Sequence, residues 1–231
     1  MQASDTAPAR PGLQLLAALP RELLSRLLAG ERSLKLSAGQ TLFERGDAGD
    51  GCYWLRRGVL SVCVASAKGE QRILAILGAG AIVGELAMID GLPRSATIQA
   101  LRDCELTFVS RAAFSDLLNR HPDLYIDIVR TLAARLRQSD EEMAASSFLT
   151  VRARVARALL QFARHLGEEQ RPGRILIRHA ITQSDLAAMA GVARESVSRT
   201  VREWQRQKIV EGSGRSGYTV HKTRLEGDAA E

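Results

Sequence analysis

The stretch Gly84–Ala96, GELAMIDGLPRSA, sets a carboxylate, Glu85, and a guanidinium, Arg94, at opposite ends of a short run of small and apolar residues, with the hydroxyl of Ser95 beside the arginine. Arginine's planar fork fits two oxygens of a phosphate diester better than a lysine's point charge does. Ser95 adds a donor, and backbone N–H groups near Gly84 add more, because small residues let an anion approach closely. Glu85 repels a phosphate, so its useful task is to accept a hydroxyl such as a ribose 2′-OH. The segment thus matches a sugar at one end and a phosphate at the other. A plain Glu–Arg surface pair, worth little in water, accounts equally well for the same two residues.

A second cluster lies in ITQSDLAAMAGVARESVSRTVREWQRQKIV, residues 181–210. Thr182 followed three residues later by Asp185 opens a helix with a capping-box pattern. Leu186, Ala187 and Ala190 face inward, Gly191 permits a sharp turn, and Val192 and Val197 pack back. Two helices crossing at close range require that spacing, which is the helix-turn-helix pattern. On the second helix Arg194, Glu195, Ser198 and Arg199 share the outward face of the first two turns. Arginine pairs bidentately with guanine O6 and N7, and glutamate accepts from the cytosine amino group. A solvated, salt-bridged face has the same composition. Arg202, Arg206 and Lys208 carry the basic run into phosphate range, and VEGSGRSGYTV reads as a two-stranded wing with Arg215 at its tip. Helix-turn-helix, wing and positive charge together make duplex DNA the leading anionic partner.

The elements that hold these clusters follow from patterning. Residues 1–12 read as a loose tail, and an amphipathic helix follows, with Leu23, Leu24, Leu27 and Leu28 on one side and Gly30 as its stop. From about residue 32 to 110, short alternating segments are cut by glycine. GVLSVCVA reads as a half-buried strand, KGEQ as a turn and RILAIL as the partner strand, within a small antiparallel sandwich or barrel. From Pro122 to about Leu149 the pattern is helical, and Tyr125, Val129, Leu132, Leu136, Ser139, Met143 and Ser146 recur at alternating spacings of four and three. That heptad seam marks two helices packed along their length and favours a homodimer over a lone amphipathic helix. Residues 150–222 read as a helix, a short strand RILIR, two short helices and a glycine-rich hairpin, and residues 223–231 as a frayed tail.

Bulk properties limit the possible functions. The chain has 231 residues, enough for two domains, with net charge +6 and pI about 9.7. A basic balance favours an anionic partner. Cys52, Cys63 and Cys104 show no CxxC spacing, which speaks against a zinc site, a four-cysteine iron–sulfur cluster or a secreted disulfide framework. Reduced core thiols are the expectation. No apolar run reaches the roughly eighteen residues of a membrane span and no signal-like segment opens the chain, so a cytoplasmic location without membrane contact is expected. No HExxH, GxSxG or P-loop occurs, and His121, His165, His179 and His221 are scattered, so an enzyme is not expected. No cofactor and no metal are expected.

GELAMIDGLPRSAT resembles the phosphate-binding cassette of cyclic-nucleotide-binding domains, and GDAGDGCYWLRRG upstream resembles that family's sandwich. With RESVSR in a helix-turn-helix, the chain from about Leu13 to Lys222 resembles the cyclic AMP receptor/FNR family of bacterial transcription regulators. The resemblance implies an α+β chain: an N-terminal antiparallel β jelly-roll over residues 13–121, a dimerisation helix over 122–149 and a C-terminal winged helix-turn-helix over 150–222. It implies that Gly84, Glu85, Leu86, Arg94 and Ser95 hold the sugar–phosphate ring of an allosteric ligand, that Ser139 meets its base, and that Asp140 reaches in from the other subunit. It implies that Arg194, Glu195 and Arg199 read bases, Ser198 resembling the FNR-like variant, with RNA polymerase as a partner. The receptor branch carries a threonine–serine pair where this chain has Ser139–Asp140. A carboxylate accepts once from adenine's amino group and twice from guanine, so cyclic AMP is favoured on family frequency with cyclic GMP close behind. Ala193 stands where the reading helix would take a hydroxyl cap. The FNR branch's cysteine cluster is absent, which speaks against oxygen sensing through iron–sulfur. Alternatives are a cyclic di-GMP-responsive regulator, a ligand-independent or thiol-based redox regulator, and a subunit that releases a protein partner.

Overall fold

The structure is a computed structural model describing Leu23, Leu27, residues 32–214 and 216–230, apart from the side chains of residues 131, 135, 138, 139, 141, 142 and 144–147. The expected tail 1–12, most of the helix after it (Leu24, Leu28 and Gly30 included), Arg215 and the Ser139 side chain lie outside the described residues.

The first half builds from short glycine-punctuated strands: β1 Ser33–Leu36, β2 Thr41–Phe43, β3 Gly51–Arg57, β4 Val59–Ala65, β5 Gln71–Gly78, β6 Ile82–Val83, then helix α1 Glu85–Asp90, β7 Thr97–Ala100 and β8 Cys104–Ser110. They form two four-stranded sheets, ordered β1-β8-β3-β6 and β2-β7-β4-β5. The β3–β8 pairing is antiparallel, running from Gly51 opposite Ser110 to Arg57 opposite Glu105, with a register shift between Leu55 and Arg57. This is the expected jelly-roll. GVLSVCVA and RILAIL are neighbouring strands β4 and β5. The turn between them is closed by Gly69 N–H donating to Ser66 O at 2.9 Å. Burial in β4 is denser than simple alternation implies, since Val59, Leu60, Ser61 and Cys63 are all covered.

Two helices follow. α2 Arg111–Arg120 starts where Ser110 Oγ accepts from Ala113 N–H at 3.2 Å, and α3 spans Leu124–Phe148. Phe114, Leu117 and Leu118 of α2 pack with Leu27, Met88, Val109 and Leu124 in one apolar cluster. On α3 Tyr125, Val129, Leu136 and Met143 are exposed, whereas Leu132 is half-buried.

The second half is α4 Val151–Leu166, β9 Gly167–Arg171, β10 Arg174–Ile177, α5 Gln183–Ala190, α6 Arg194–Arg206, β11 Val210–Ser213, β12 Gly217–His221 and α7 Lys222–Asp228. Its strands form one sheet, β11-β12-β10-β9. Val155, Leu159, Phe162 and Leu166 of α4 are buried, the stripe of an amphipathic helix. Residues 223–228, expected to belong to a frayed tail, are helical, and Leu225 of α7 is wholly buried and anchors the helix. Tertiary contacts divide the chain into two units, residues 1–60 with 77–142 and residues 61–76 with 143–231.

Candidate functional site

α1 is held between two left-handed glycines, Gly84 at φ 82° and Gly91 at φ 74°. An L side chain resists that conformation. At Gly84 a second constraint applies, since a Cβ there would lie 2.4 Å from Arg94 Nη1. The glycine admits the guanidinium to the start of the helix. Arg94 is only 5% exposed. Its Nη1 donates to Gly51 O at 2.8 Å and to Gly84 O at 2.6 Å. Its Cζ lies 4.3 Å from the centroid of the Phe43 ring, a cation–π seat. Behind Phe43, Tyr53 and Phe108 continue a tilted aromatic row. Burial pushes the Tyr53 hydroxyl above its ordinary pKa, and the nearby Arg94 charge partly opposes that. Arg94 Nε is buried and has no hydrogen-bond partner. Glu85, 5% exposed, heads α1, where the helix dipole favours an acid. Leu86 and Ser95 are exposed.

Sequence reasoning missed the framework around Arg94. The backbone of residues 46–47 is stitched to it, Gly46 N–H to Arg94 O and Arg94 N–H to Asp47 O, both at 2.8 Å. Gly49 lies so close that a Cβ there would be 2.5 Å from Arg94 Cζ. Arg111 Nη2 then donates to Ala87 O of α1 at 2.7 Å and to Gly49 O at 3.2 Å, tying helix to loop. One signal was available: Arg111 is a cation in the first turn of α2, where the helix dipole disfavours it, so its charge is wanted elsewhere. Asp140 is exposed on α3, one residue after Ser139.

In the second unit Thr182 caps α5 with a complete capping box: its Oγ1 accepts from Asp185 N–H at 3.0 Å, and Asp185 Oδ2 accepts from Thr182 N–H at 2.8 Å. Gly191 ends α5 at φ 63°. Leu186, Ala190, Val197, Val201 and Trp204 are buried between the helices, while Ala187 and Val192 are half-buried. Ala193 caps α6 without a side-chain bond. Arg194, Glu195, Arg199 and Arg202 are exposed and Ser198 is half-buried. Arg206 is ion-paired with Glu203 three residues earlier. Arg199, Arg202 and Arg206 line a groove of about 1020 Å³ with Arg152 from the first turn of α4. Such a cationic surface suits phosphates.

Residues 33–121 match the cyclic nucleotide-binding domain and residues 153–225 the Crp-like helix-turn-helix domain. The chain is 35% identical over 173 residues to the cyclic AMP receptor protein of Thermus thermophilus, covering 74% of this chain and 76% of that relative. This chain belongs to the Crp-Fnr family of transcription regulators. A second Crp-Fnr relative, the CRP-like cAMP-activated global transcriptional regulator of Mycobacterium tuberculosis, is 28% identical over 187 residues, 81% of this chain and 83% of its own. Among solved structures, the Thermus thermophilus catabolite activator protein is 30% identical with a TM-score of 0.53, covering 94% of this chain and 98% of that one. The c-di-GMP responsive global regulator CLP of Xanthomonas campestris has a similar fold, with a TM-score of 0.75 at 21% identity, covering 87% of this chain and 99% of that one. In this Crp-Fnr protein the buried arginine therefore lies in a cyclic nucleotide-binding domain and the arginine-faced helix in a DNA-binding one. Among the described residues no helix is long and apolar enough to cross a membrane, and no cluster of three or more metal-ligating side chains occurs.

Proposed function

We propose that the protein is a homodimeric, ligand-gated transcription regulator in which a cyclic mononucleotide, with cyclic AMP as the leading candidate, binds the Gly84–Ser95 cassette and thereby favours binding to a palindromic DNA site. Arg94 carries this reading. A buried N–H with nothing to donate to costs about 1–3 kcal/mol, and Arg94 Nε is such a group in a cradle walled by glycine. A phosphate diester seated on the guanidinium would satisfy it. Glu85 would take a ribose hydroxyl, Ser95 and the backbone at Gly84 and Leu86 the remaining oxygens. Ser139 and Asp140, the latter from the other subunit, would meet the base. Relatives named as cyclic AMP-activated or cyclic AMP receptors favour adenine. The exposed carboxylate at Asp140 favours guanine and keeps cyclic GMP as the second reading.

The second copy would pair along α3. Tyr125, Val129, Leu136 and Met143 form an exposed apolar stripe at heptad spacing, with Leu132 beside it, and pairing would remove it from water. Two copies of α6 would then sit about one duplex turn, roughly 34 Å, apart. Arg194, Glu195, Ser198 and Arg199 would read bases of a TGTGA-like or TTGA-like half-site, Arg202 and Arg215 would hold phosphates, and RNA polymerase would be the downstream partner. Nucleotide shifts the equilibrium only by binding the DNA-competent state more tightly, and DNA tightens nucleotide reciprocally. Calorimetric titration of the purified protein with cyclic AMP, cyclic GMP and cyclic di-GMP, each followed by DNA binding, tests the reading. Cyclic AMP binding that strengthens DNA binding is the expected result. Indifference to all three at millimolar concentration overturns it.

A further inference from the structure

α7 contributes one carboxylate to the interior of the second unit. Asp228 Oδ2 accepts from Trp204 Nε1–H at 2.6 Å and from Arg152 Nη2 at 2.9 Å. Trp204 is wholly buried at the third turn of α6, and the Asp228 side chain is only 15% exposed. The Arg152 guanidinium also lies over the Trp204 ring, its Cζ 5.4 Å from the centroid, and reaches Gln207 Oε1 at the end of α6 at 3.1 Å. α7 is fastened beside these contacts. Leu225 is buried, Arg157 Nε on α4 donates to Ala229 O at 3.0 Å, and Arg224 Nη1 donates to Gln207 O at 3.2 Å. One acid thus joins three helices: α4 through Arg152, α6 through Trp204 and α7 through its own backbone.

From this geometry we infer that Asp228 is a positioning residue for sequence-specific DNA reading, setting the roll of α6 on α4 and neutralising Arg152 at the wall of the phosphate groove. The inference rests on the assignment of α6 as the reading helix. A buried indole N–H needs an acceptor, and a charge-assisted pair to a mostly buried carboxylate is directional in a way that apolar packing is not. Val197, Val201 and Trp204 would stay buried through a modest roll of α6, because apolar contacts resist rotation weakly. Trp204 bonded to Asp228 does not permit that roll. Base edges are read by groups that must be placed to a fraction of an ångström, whereas phosphate attraction tolerates a misplaced helix. The same carboxylate neutralises Arg152, which lines the groove with Arg199, Arg202 and Arg206.

The test uses the full-length protein, a duplex selected by the wild-type protein from a random pool, and the same duplex scrambled, each with cyclic AMP, with cyclic GMP and without nucleotide. Asp228→Asn keeps the shape and loses the charge, and Asp228→Glu keeps the charge. Removing one partner of a buried charged pair releases the other, so Asp228→Asn should lower the ratio of selected to scrambled affinity by about tenfold or more. Affinity for the scrambled duplex should hold or rise, and its salt slope should steepen by about one as Arg152 becomes free for phosphate. Asp228→Glu should recover part of the ratio. An unchanged ratio overturns the inference, and so does an equal loss on both duplexes, which marks a merely destabilised fold. A wild-type protein that selects no sequence overturns the DNA-reading assignment itself, and is told apart by appearing before any variant is made.

Discussion

Arg94 ties Gly51 to Gly84 through one nitrogen, and the proposed ligand would meet the same guanidinium. Nη1 serves two carbonyls, and Nε remains buried and unmatched. The two roles separate by substitution. Arg94→Lys keeps a cation over Phe43 but loses the fork, so nucleotide affinity should fall about 10- to 100-fold by calorimetry, the range of a charged hydrogen bond or two. Arg94→Ala should also lower unfolding free energy by about 1–3 kcal/mol, because it strands the Gly51 and Gly84 carbonyls. If Arg94→Lys binds nucleotide as the wild-type protein does, the guanidinium is structural only. On α6, Glu195 is exposed. Glu195→Ala should relax base choice at one position of the half-site by about 1–3 kcal/mol while general duplex binding persists, read by competition with single-base variants.

Among the elements, α5 and α6 are the plainest in the sequence. Thr182 and Asp185 announce the capping box that the structure contains. Thr182→Ala should cost about 1 kcal/mol in thermal unfolding. Ala193 leaves α6 without a side-chain cap, so Ala193→Ser should add about 0.5–1 kcal/mol, provided the new hydroxyl meets the second or third helical N–H. Three helices and a strand were not legible. α1 has six residues between glycines, too few for a period to show. α2 follows β8 directly, and Ser110 both ends the strand and caps the helix. β9, GEEQR, is polar along its length and owes its existence to pairing with β10. α7 ends in Gly227–Asp228 and presents one buried leucine, so its stability comes from contacts with α4 and α6.

For the whole molecule, buried ionisable groups set the alkaline limit. Burial pushes the Cys63 and Cys104 thiols and the Tyr53 and Tyr218 hydroxyls above their ordinary values. The unfolded chain therefore releases these protons at lower pH than the folded one. The stability they contribute is complete below the unfolded thiol value and drains away as pH rises through the folded values. Urea midpoints should be steady around neutrality and decline above about pH 9. A flat profile into strong alkali would show that these groups ionise equally easily in both states. The same shift keeps the two thiols protonated at neutral pH, which argues against a redox switch built on them. DNA affinity should fall steeply with salt through counterion release, and a flat dependence would remove the arginine-lined groove from the interface.

The order of domains, the capping box, the arginine in its glycine-rich cassette and the outward arginines of α6 were all determined by the sequence. Each depends on residues near one another in the chain, and local geometry follows from local chemistry. Tertiary structure alone decided what surrounds those residues. Gly49 closes over Arg94 from 45 positions upstream, Arg111 reaches back 24 positions to Ala87, and Asp228 reaches 76 positions to Arg152. Such pairs leave no periodic trace, because the chain path between the partners, and not their spacing, brings them together.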